Sequence, residues 1–365
     1  MNKTVVVGMS GGVDSSVTAY LLKKEGYNVI GVTMKTHDTG LEEIEDSCCG
    51  LTGINDARRV CDMLEIPHYV MNFKKEFKED VIDYFIEDYR NGYTPNPCIA
   101  CNKHIKWEAL LRKAKALGAD YIATGHFGKI EQDENNGRYF IRKSDADRKD
   151  QSYVLYNLSQ DQLKHTLMPL GNGYTKEKVR EVAKEMGLSV ANKPDSQDIC
   201  FVPDGDYVKF ITENSDIDVN PGNFVNKKGE ILGRHKGIIR YTIGQRKGLE
   251  IAFGEPMYVI DINTDTNEVV LGTKDEVFSN IVYATELNFA PFDKLEGEMT
   301  LEGKIRYSHK PSKCKIYMVS DNVLKCEFEE PQRAVTPGQA IVFYDGDIVV
   351  GGGRIINERQ SRKLY

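Results

Sequence analysis

Chemistry is concentrated at two places in the chain. The first is Ser10-Gly11-Gly12-Val13-Asp14-Ser15-Ser16, which follows the apolar run Val5 to Val7 directly. Gly11 and Gly12 let a backbone approach an anion closely, and Ser10, Ser15 and the amides of a helix start supply donors for phosphate oxygens. The string is neither Gly-x-x-x-x-Gly-Lys-Ser/Thr nor Gly-x-Gly-x-x-Gly, so kinase-type and dinucleotide turns are excluded. Asp14 could take part in placing a metal or water, or could simply favour the start of the helix electrostatically.

The second place is a set of thiols. Cys98 and Cys101 lie in Asn96-Pro97-Cys98-Ile99-Ala100-Cys101-Asn102-Lys103, and Cys200 lies in Asp195-Ser196-Gln197-Asp198-Ile199-Cys200-Phe201. An attacking thiolate needs its pKa lowered from about 8.5 by nearby cations or a helix start. Cys101 precedes Lys103, His104 and Lys106 at the head of an expected helix. The pair Cys48-Cys49 follows the acidic run Glu42 to Asp46, which discourages reactivity. Cys61 reads as core packing, and Cys314 and Cys326 carry no motif.

Positioning these residues requires a scaffold. Strands are expected at Thr4-Gly8, Asn28-Met34, His68-Asn72 and Asp120-Gly125, with helices over Gly12-Glu25, Gly53-Leu64, Lys75-Asn91, Lys103-Leu117 and Lys176-Gly187. That alternation specifies a doubly wound α/β unit whose ligands sit beyond the carboxyl ends of its strands. After Phe201 the pattern shifts to short alternating runs such as Gly222-Val225, Pro256-Ile260, Val269-Leu271, Lys304-Tyr307 and Ala340-Tyr344. The second half is therefore expected to be mostly β, divided near Phe278-Asn280.

Composition sets limits. The 365 residues are 40% hydrophobic and 28% charged, more than one core usually fills, and no apolar run nears the roughly 20 residues of a membrane span. The start, Met1 to Thr4 and then Val5 to Val7, is too short an apolar stretch for a signal peptide, which points to the cytoplasm and to no membrane partner. Eight cysteines are too few for a disulfide scaffold. The net charge of -7 conceals two stretches without any acid, Ile231 to Leu249 and Gly303 to Ser320, and a cluster of Lys103, Lys106, Arg112, Lys113 and Lys115. Such runs suit a phosphate backbone, and Tyr241 and Tyr307 within them could stack on bases.

Seven strings, in order, give the chain a family resemblance. They are Gly8-Met9-Ser10-Gly11-Gly12-Val13-Asp14-Ser15-Ser16, Asn96-Pro97-x-x-x-Cys101-Asn102, Ala123-Thr124-Gly125-His126, Lys149-Asp150-Gln151-Ser152-Tyr153, Ile199-Cys200-Phe201, Gly244-Gln245-Arg246-Lys247-Gly248-Leu249 and Thr336-Pro337-Gly338-Gln339. Together they resemble the tRNA-specific 2-thiouridylases of the MnmA type, within the ATP pyrophosphatase superfamily. The resemblance implies an N-terminal doubly wound parallel-sheet ATP pyrophosphatase domain over 1–203, a small central mainly-β domain over 204–279 and a C-terminal β-barrel over 280–365.

The resemblance also implies adenylation of a wobble uridine at its C2 oxygen, followed by sulfur transfer through cysteines. It places ATP on Gly8, Met9, Ser10, Gly11, Gly12, Val13, Asp14 and Ser15, with Met34 and Gly125 also touching the nucleotide and Mg2+ neutralising the phosphates. Cys101 becomes the nucleophile and Cys200 the persulfide carrier, the two closing a disulfide as sulfide leaves. Asn96, Pro97 and Cys98 would surround the base, while His126, Lys149, Asp150, Gln151, Arg306, Tyr307 and Gln339 would contact tRNA. A sulfur-donor or sulfur-carrier protein is the further partner. Cys98 departs from the Asp that many members carry, and it opens an alternative in which Cys98, Cys101 and Cys200 hold a [4Fe-4S] cluster. Two other readings stay open: an ATP pyrophosphatase acting on a small acid or amide, and a non-catalytic RNA-binding protein with a Cys-bound metal.

Overall fold

The structure, a computed structural model, describes residues 2–37, 51–146, 149–192, 199–250 and 254–364. The chain divides into two compact units: one of residues 1–82, 97–205 and 347–350, the other of residues 83–96, 206–346 and 351–365. Cys48 and Cys49, and the Asp195 to Asp198 part of the Cys200 string, lie outside the described residues.

Unit one contains β1 (Thr4–Gly8), β2 (Asn28–Lys35), β3 (His68–Asn72), β4 (Tyr121–Ala123), a hairpin of β5 (Lys129–Gln132) and β6 (Tyr139–Arg142), and β7 (Thr166–Leu167). Five of these form a parallel sheet in the order β3-β2-β1-β4-β7. The order reverses at β1, whose partners are β2 on one side and β4 on the other. A crevice therefore opens beyond the carboxyl ends of β1 and β4, where sheets of this kind bind ligands. Val5, Val6 and Val7 are fully buried, as a central strand covered on both faces requires. Hairpin β5-β6 stands apart from that sheet and pairs through Arg142 and Ile141 with Ile348 and Val349.

The helices are α1 (Val13–Lys24), α2 (Leu51–Met63), α3 (Lys74–Phe77), α4 (Tyr84–Arg90), α5 (Pro97–Ala100), α6 (Leu110–Ala116), α7 (Gln160–Lys164) and α8 (Lys176–Glu185). All but α4 belong to unit one. Between α5 and α6 the chain is π-helical over Cys101–Ala109, a geometry often found beside functional sites. The core on one face of the sheet joins Val5, Val7 and Met9 to Val17, Leu21 and Leu22 of α1, Ala57 and Val60 of α2, and Val179 and Ala183 of α8.

Unit two holds α9 (Tyr207–Glu213), a four-stranded sheet of β8 (Gly222–Val225), β9 (Ile231–His235), β10 (Tyr258–Asn263) and β11 (Glu268–Gly272), then β12 (Phe278–Phe289), β13 (Glu298–Lys304), β14 (Ser312–Ser320), β15 (Val323–Arg333), β16 (Ala340–Asp345), β17 (Ile348–Ile356, from Gly351 onward in this unit) and α10 (Glu358–Leu364). Strands β12-β15-β14-β13-β16-β17 close into a six-stranded barrel through pairing of β12 with β17. Closure removes the exposed edges that an open sheet would leave for association. The run Lys304-Tyr307 is not a strand throughout, because β13 ends at Lys304 and Arg306 and Tyr307 lie in the turn beyond it. Among the described residues no helix is long and apolar enough to cross a membrane.

Candidate active site

The turn after β1 has a geometry that can hold an anion. Gly11 sits at φ +72, and a Cβ there would lie 2.3 Å from the Gly53 carbonyl oxygen, so only glycine fits. Gly12 is the N-cap of α1 in extended conformation and has no side chain to accept from the first-turn amides, which stay available to a ligand. The Ser15 hydroxyl accepts from the Ser10 amide at 3.2 Å and donates to the Gly12 carbonyl at 3.1 Å. The Ser10 hydroxyl accepts from the Gly12 amide at 3.3 Å while its side chain faces solvent. These contacts shape the cradle from within and fit a nucleotide's phosphates.

Two neighbours complete the cradle. Thr124, Gly125 and His126 follow β4, and a Cβ on Gly125 would lie 2.8 Å from the Asp14 carbonyl carbon and from the Ser15 nitrogen. The absence of a side chain at Gly125 is what allows the two strand ends to meet. From the other side Lys176, on the first turn of α8, donates to both Asp14 carboxylate oxygens at 2.7 and 2.8 Å. Lys176 is 8% exposed, so the pair is largely withdrawn from water. The sequence reading missed Lys176. A signal was nevertheless present: lysine at a helix start opposes the helix dipole and needs a counter-charge.

His126 is held neutral. Its Nδ1 lies 2.8 Å from the Thr124 hydroxyl, and its ring leans on Trp107 at 5.3 Å between centroids. Burial first, and then the Lys106 ammonium, push its pKa well below the ordinary imidazole value.

Cys98, Cys101 and Cys200 belong to the same compact unit as the turn after β1. Cys98 is exposed and Cys101 and Cys200 are half-buried, all three as thiols. Cys101 begins the π-helical segment, which is fastened by the Asn102 amide donating to the Val154 carbonyl at 3.0 Å and by the Trp107 indole donating to Thr166 at 2.9 Å. Next to Cys200, Phe201 is buried edge-on against Phe77 of α3 at 5.7 Å, and Phe77 stacks on His37 at 5.8 Å. His37 lies just past the carboxyl end of β2, three residues beyond Met34. Helix α3 also packs on the segment that Cys101 opens.

Among the described residues, no three His, Cys, Asp or Glu side chains gather as a metal site. Cys98, Cys101 and Cys200 thus form no ready-made ligand set for a cluster. Cys61, Cys314 and Cys326 are buried, and burial lifts the Cys61 thiol to about 12 and Cys326 well above its ordinary value.

The residues expected on RNA fall into two kinds. Lys149 and Tyr307 are exposed, with Lys304 lying over the Tyr307 ring at 5.3 Å. Others are committed to the protein. The Asp150 carboxylate accepts from the Ser144 amide and the Ser152 hydroxyl, and the Gln151 side-chain oxygen accepts from the Phe127 amide. The Arg306 guanidinium donates to the Ala334 carbonyl and to Thr336, and the Gln339 amide donates to the Thr94 and Pro95 carbonyls. Asn96 is half-buried and Pro97 buried. In the basic cluster, Lys106 donates to Asn102, Lys113 to the Asn72 carbonyl and Lys115 to Asp161.

Three family models match the chain: a tRNA methyl transferase HUP domain over residues 3–204, a tRNA methyl transferase PRC-barrel domain over 209–273 and an aminomethyltransferase beta-barrel domain over 279–355. Among its relatives, a tRNA-specific 2-thiouridylase MnmA of Clostridioides difficile is 57% identical over 97% of this chain and 98% of its own length. One from Lachnoclostridium phytofermentans is 59% identical over 97% and 99%. The chain belongs to the MnmA family. A third member, from Clostridium acetobutylicum, is 58% identical over 97% of this chain and 100% of its own. Agreement over the full length means that the MnmA barrel, and not only its nucleotide unit, is shared.

Proposed function

We propose that this MnmA-family chain replaces O2 of the wobble uridine of tRNA with sulfur, using ATP, in the cytoplasm. The observation that carries the reading is the uncapped glycine turn at the β1–β4 crevice, with the elements bearing Cys101 and Cys200 both packed on α3. ATP sits on Gly8 to Ser15, with Met34 and Gly125 against the nucleotide. Mg2+ accompanies ATP and neutralises phosphate charge.

Uracil O2 is a poor leaving group. It attacks the α-phosphorus, the O2–P bond forms, and pyrophosphate departs with the bonding electrons. Meanwhile a donor or carrier protein has loaded Cys200 as a persulfide. The Cys101 thiolate attacks Sγ of Cys200, the persulfide S–S bond breaks, and the released sulfur adds to C2. AMP then leaves with O2, and a dithiol reductant reopens the Cys101–Cys200 disulfide. Asn96, Pro97 and Cys98 flank the base, which is already unpaired and need only be splayed into the site. His126, Lys149 and Tyr307 face the tRNA, while Asp150, Gln151, Arg306 and Gln339 serve it through the loops they brace.

The test is turnover with unmodified tRNA, ATP and either sulfide or a persulfide donor. One pyrophosphate should appear per 2-thiouridine, and none without tRNA. Pyrophosphate release that ignores tRNA and follows a small acid or amide would overturn the reading.

A further inference from the structure

We infer that Thr33 and His68 are positioning residues of the glycine turn: a relay of hydrogen bonds from the His68 ring through the Thr33 hydroxyl to the Met9 carbonyl sets the peptide that aims the Ser10 amide. The inference deepens the nucleotide reading above and rests on it only for the ATP measurement. Every residue of the relay belongs to unit one.

Met9 is the first residue past β1, and β2 holds both of its backbone polar groups. Its amide donates to the Val32 carbonyl at 2.8 Å, and its carbonyl accepts from the Thr33 hydroxyl at 2.9 Å. The Met9 carbonyl and the Ser10 amide belong to one planar trans peptide, so they point in opposite directions. Holding the carbonyl on Thr33 therefore turns the Ser10 amide the other way, where it donates to the Ser15 hydroxyl at 3.2 Å. Ser15 in turn donates to the Gly12 carbonyl at 3.1 Å. The orientation of one peptide thus passes into the donors that face a phosphate. Thr33 is 1% exposed, so little water competes for the bond. Valine would pack in the same volume, but it would leave the Met9 carbonyl without this donor.

The hydroxyl is itself oriented from behind. It has one proton, and because a carbonyl can only accept, that proton goes to Met9. The His68 Nε2, 2.9 Å from the Thr33 oxygen, is therefore the donor of the second bond. Burial, and then Arg58, lower the His68 pKa against the opposing pull of Asp62, so the neutral ring carries its single proton on Nε2. Gly31, which pairs with His68 across β2 and β3, makes the room for this contact. A Cβ there would lie 2.6 Å from the Cys61 Sγ, 3.2 Å from the Met9 Cγ and 3.5 Å from the His68 Cδ2. Cys61, which shares that space from α2, is kept a neutral thiol by burial, which lifts its pKa to about 12.

The experiment uses the full-length protein with Thr33→Val, Thr33→Ser, His68→Leu and the double variant Thr33→Val with His68→Leu. Without nucleotide, hydrogen-deuterium exchange read by mass spectrometry should be about tenfold faster over residues 10–12 in Thr33→Val, the effect of leaving a buried carbonyl unpaired. Thr33→Ser keeps the hydroxyl and should exchange near the wild-type rate. The dissociation constant of ATP with Mg2+, measured by equilibrium dialysis, should rise about tenfold in Thr33→Val and about threefold in His68→Leu. The two residues act in series, so the double variant should match Thr33→Val rather than multiply the two effects. Should Thr33→Val fail to fold, His68→Leu, altered at the half-buried end of the relay, carries the exchange and binding measurements. Wild-type exchange over residues 10–12 in the folded variant that carries the test would overturn the relay. So would a Thr33→Ser protein as impaired as Thr33→Val, or effects that multiply in full in the double variant. A wild-type protein that binds no ATP would sink the nucleotide reading, while the exchange measurement still decides the relay.

Discussion

In the proposed ATP site a carboxylate beside the glycine turn poses an electrostatic problem, because Asp14 would repel a polyphosphate. Lys176 neutralises that charge at 2.7 Å from a position where little water screens it. Lysine is a poor choice for the first turn of a helix, so the pair also offsets an unfavourable interaction with the α8 dipole. Lys176→Met should raise the KM for ATP by about tenfold or more, as removal of one partner from a half-buried pair leaves the other charge exposed to the ligand. The double variant with Asp14→Asn should recover part of that loss. Steady-state pyrophosphate release measures both, and an unchanged KM would refute the role. Nothing local in Thr175-Lys176-Glu177 names Asp14 as its partner, since a contact across 162 residues is made by the fold alone.

At the scale of elements, the site depends on how closely the turns after β1 and β4 approach. Gly125→Ala would put a methyl under 3 Å from the Asp14 and Ser15 backbone. The expected outcome is loss of ATP-dependent pyrophosphate release of about a hundredfold, with the helical circular dichroism retained, since misplacement by about 1 Å has effects of that order. Much of this architecture was legible beforehand. Thr4-Gly8, His68-Asn72 and Gly222-Val225 are strands over the expected residues, because short runs carrying β-branched or aromatic residues between turn residues favour extended backbone. The helix expected over Lys103-Leu117 runs on from α5, which begins at Pro97, and is π-helical over Cys101–Ala109. Tertiary bonds from Asn102 and Trp107 accompany that widened turn, and no periodicity announces it. The helix expected over Lys75-Asn91 is likewise π-helical in its middle, over Lys78–Asp83, and passes from one compact unit to the other. The hairpin Lys129–Gln132 and Tyr139–Arg142 escaped notice because each run is only four residues long.

For the molecule as a whole, seven strings spread from Gly8 to Gln339 gave the function more securely than the -7 net charge, which is silent about where RNA would bind. Its pH response follows from four histidines across both units, His235 buried and His68, His126 and His309 half-buried. Burial lowers the pKa values of His68, His126, His235 and His309 below 6.5 in the folded chain, aided by nearby Arg58, Lys106, Arg234 and Arg306 respectively. The unfolded chain then binds more protons, so this contribution is present above the unfolded pKa and lost as pH falls through it. Asp88, pushed up to about 6 by burial despite Arg354, acts oppositely and stabilises as acid is added. Four histidines outweigh it near neutrality, and the thermal midpoint should fall from about pH 7.5 to about pH 6; a rising midpoint would contradict the assignment. In the proposed reaction one site adenylates tRNA and two thiols then deliver sulfur. Single turnover of Cys101→Ser and Cys200→Ser with a persulfide donor tests it most directly, by following pyrophosphate and 2-thiouridine together. Both variants should release pyrophosphate in response to tRNA yet form no 2-thiouridine, whereas 2-thiouridine at the wild-type rate in either would contradict the account.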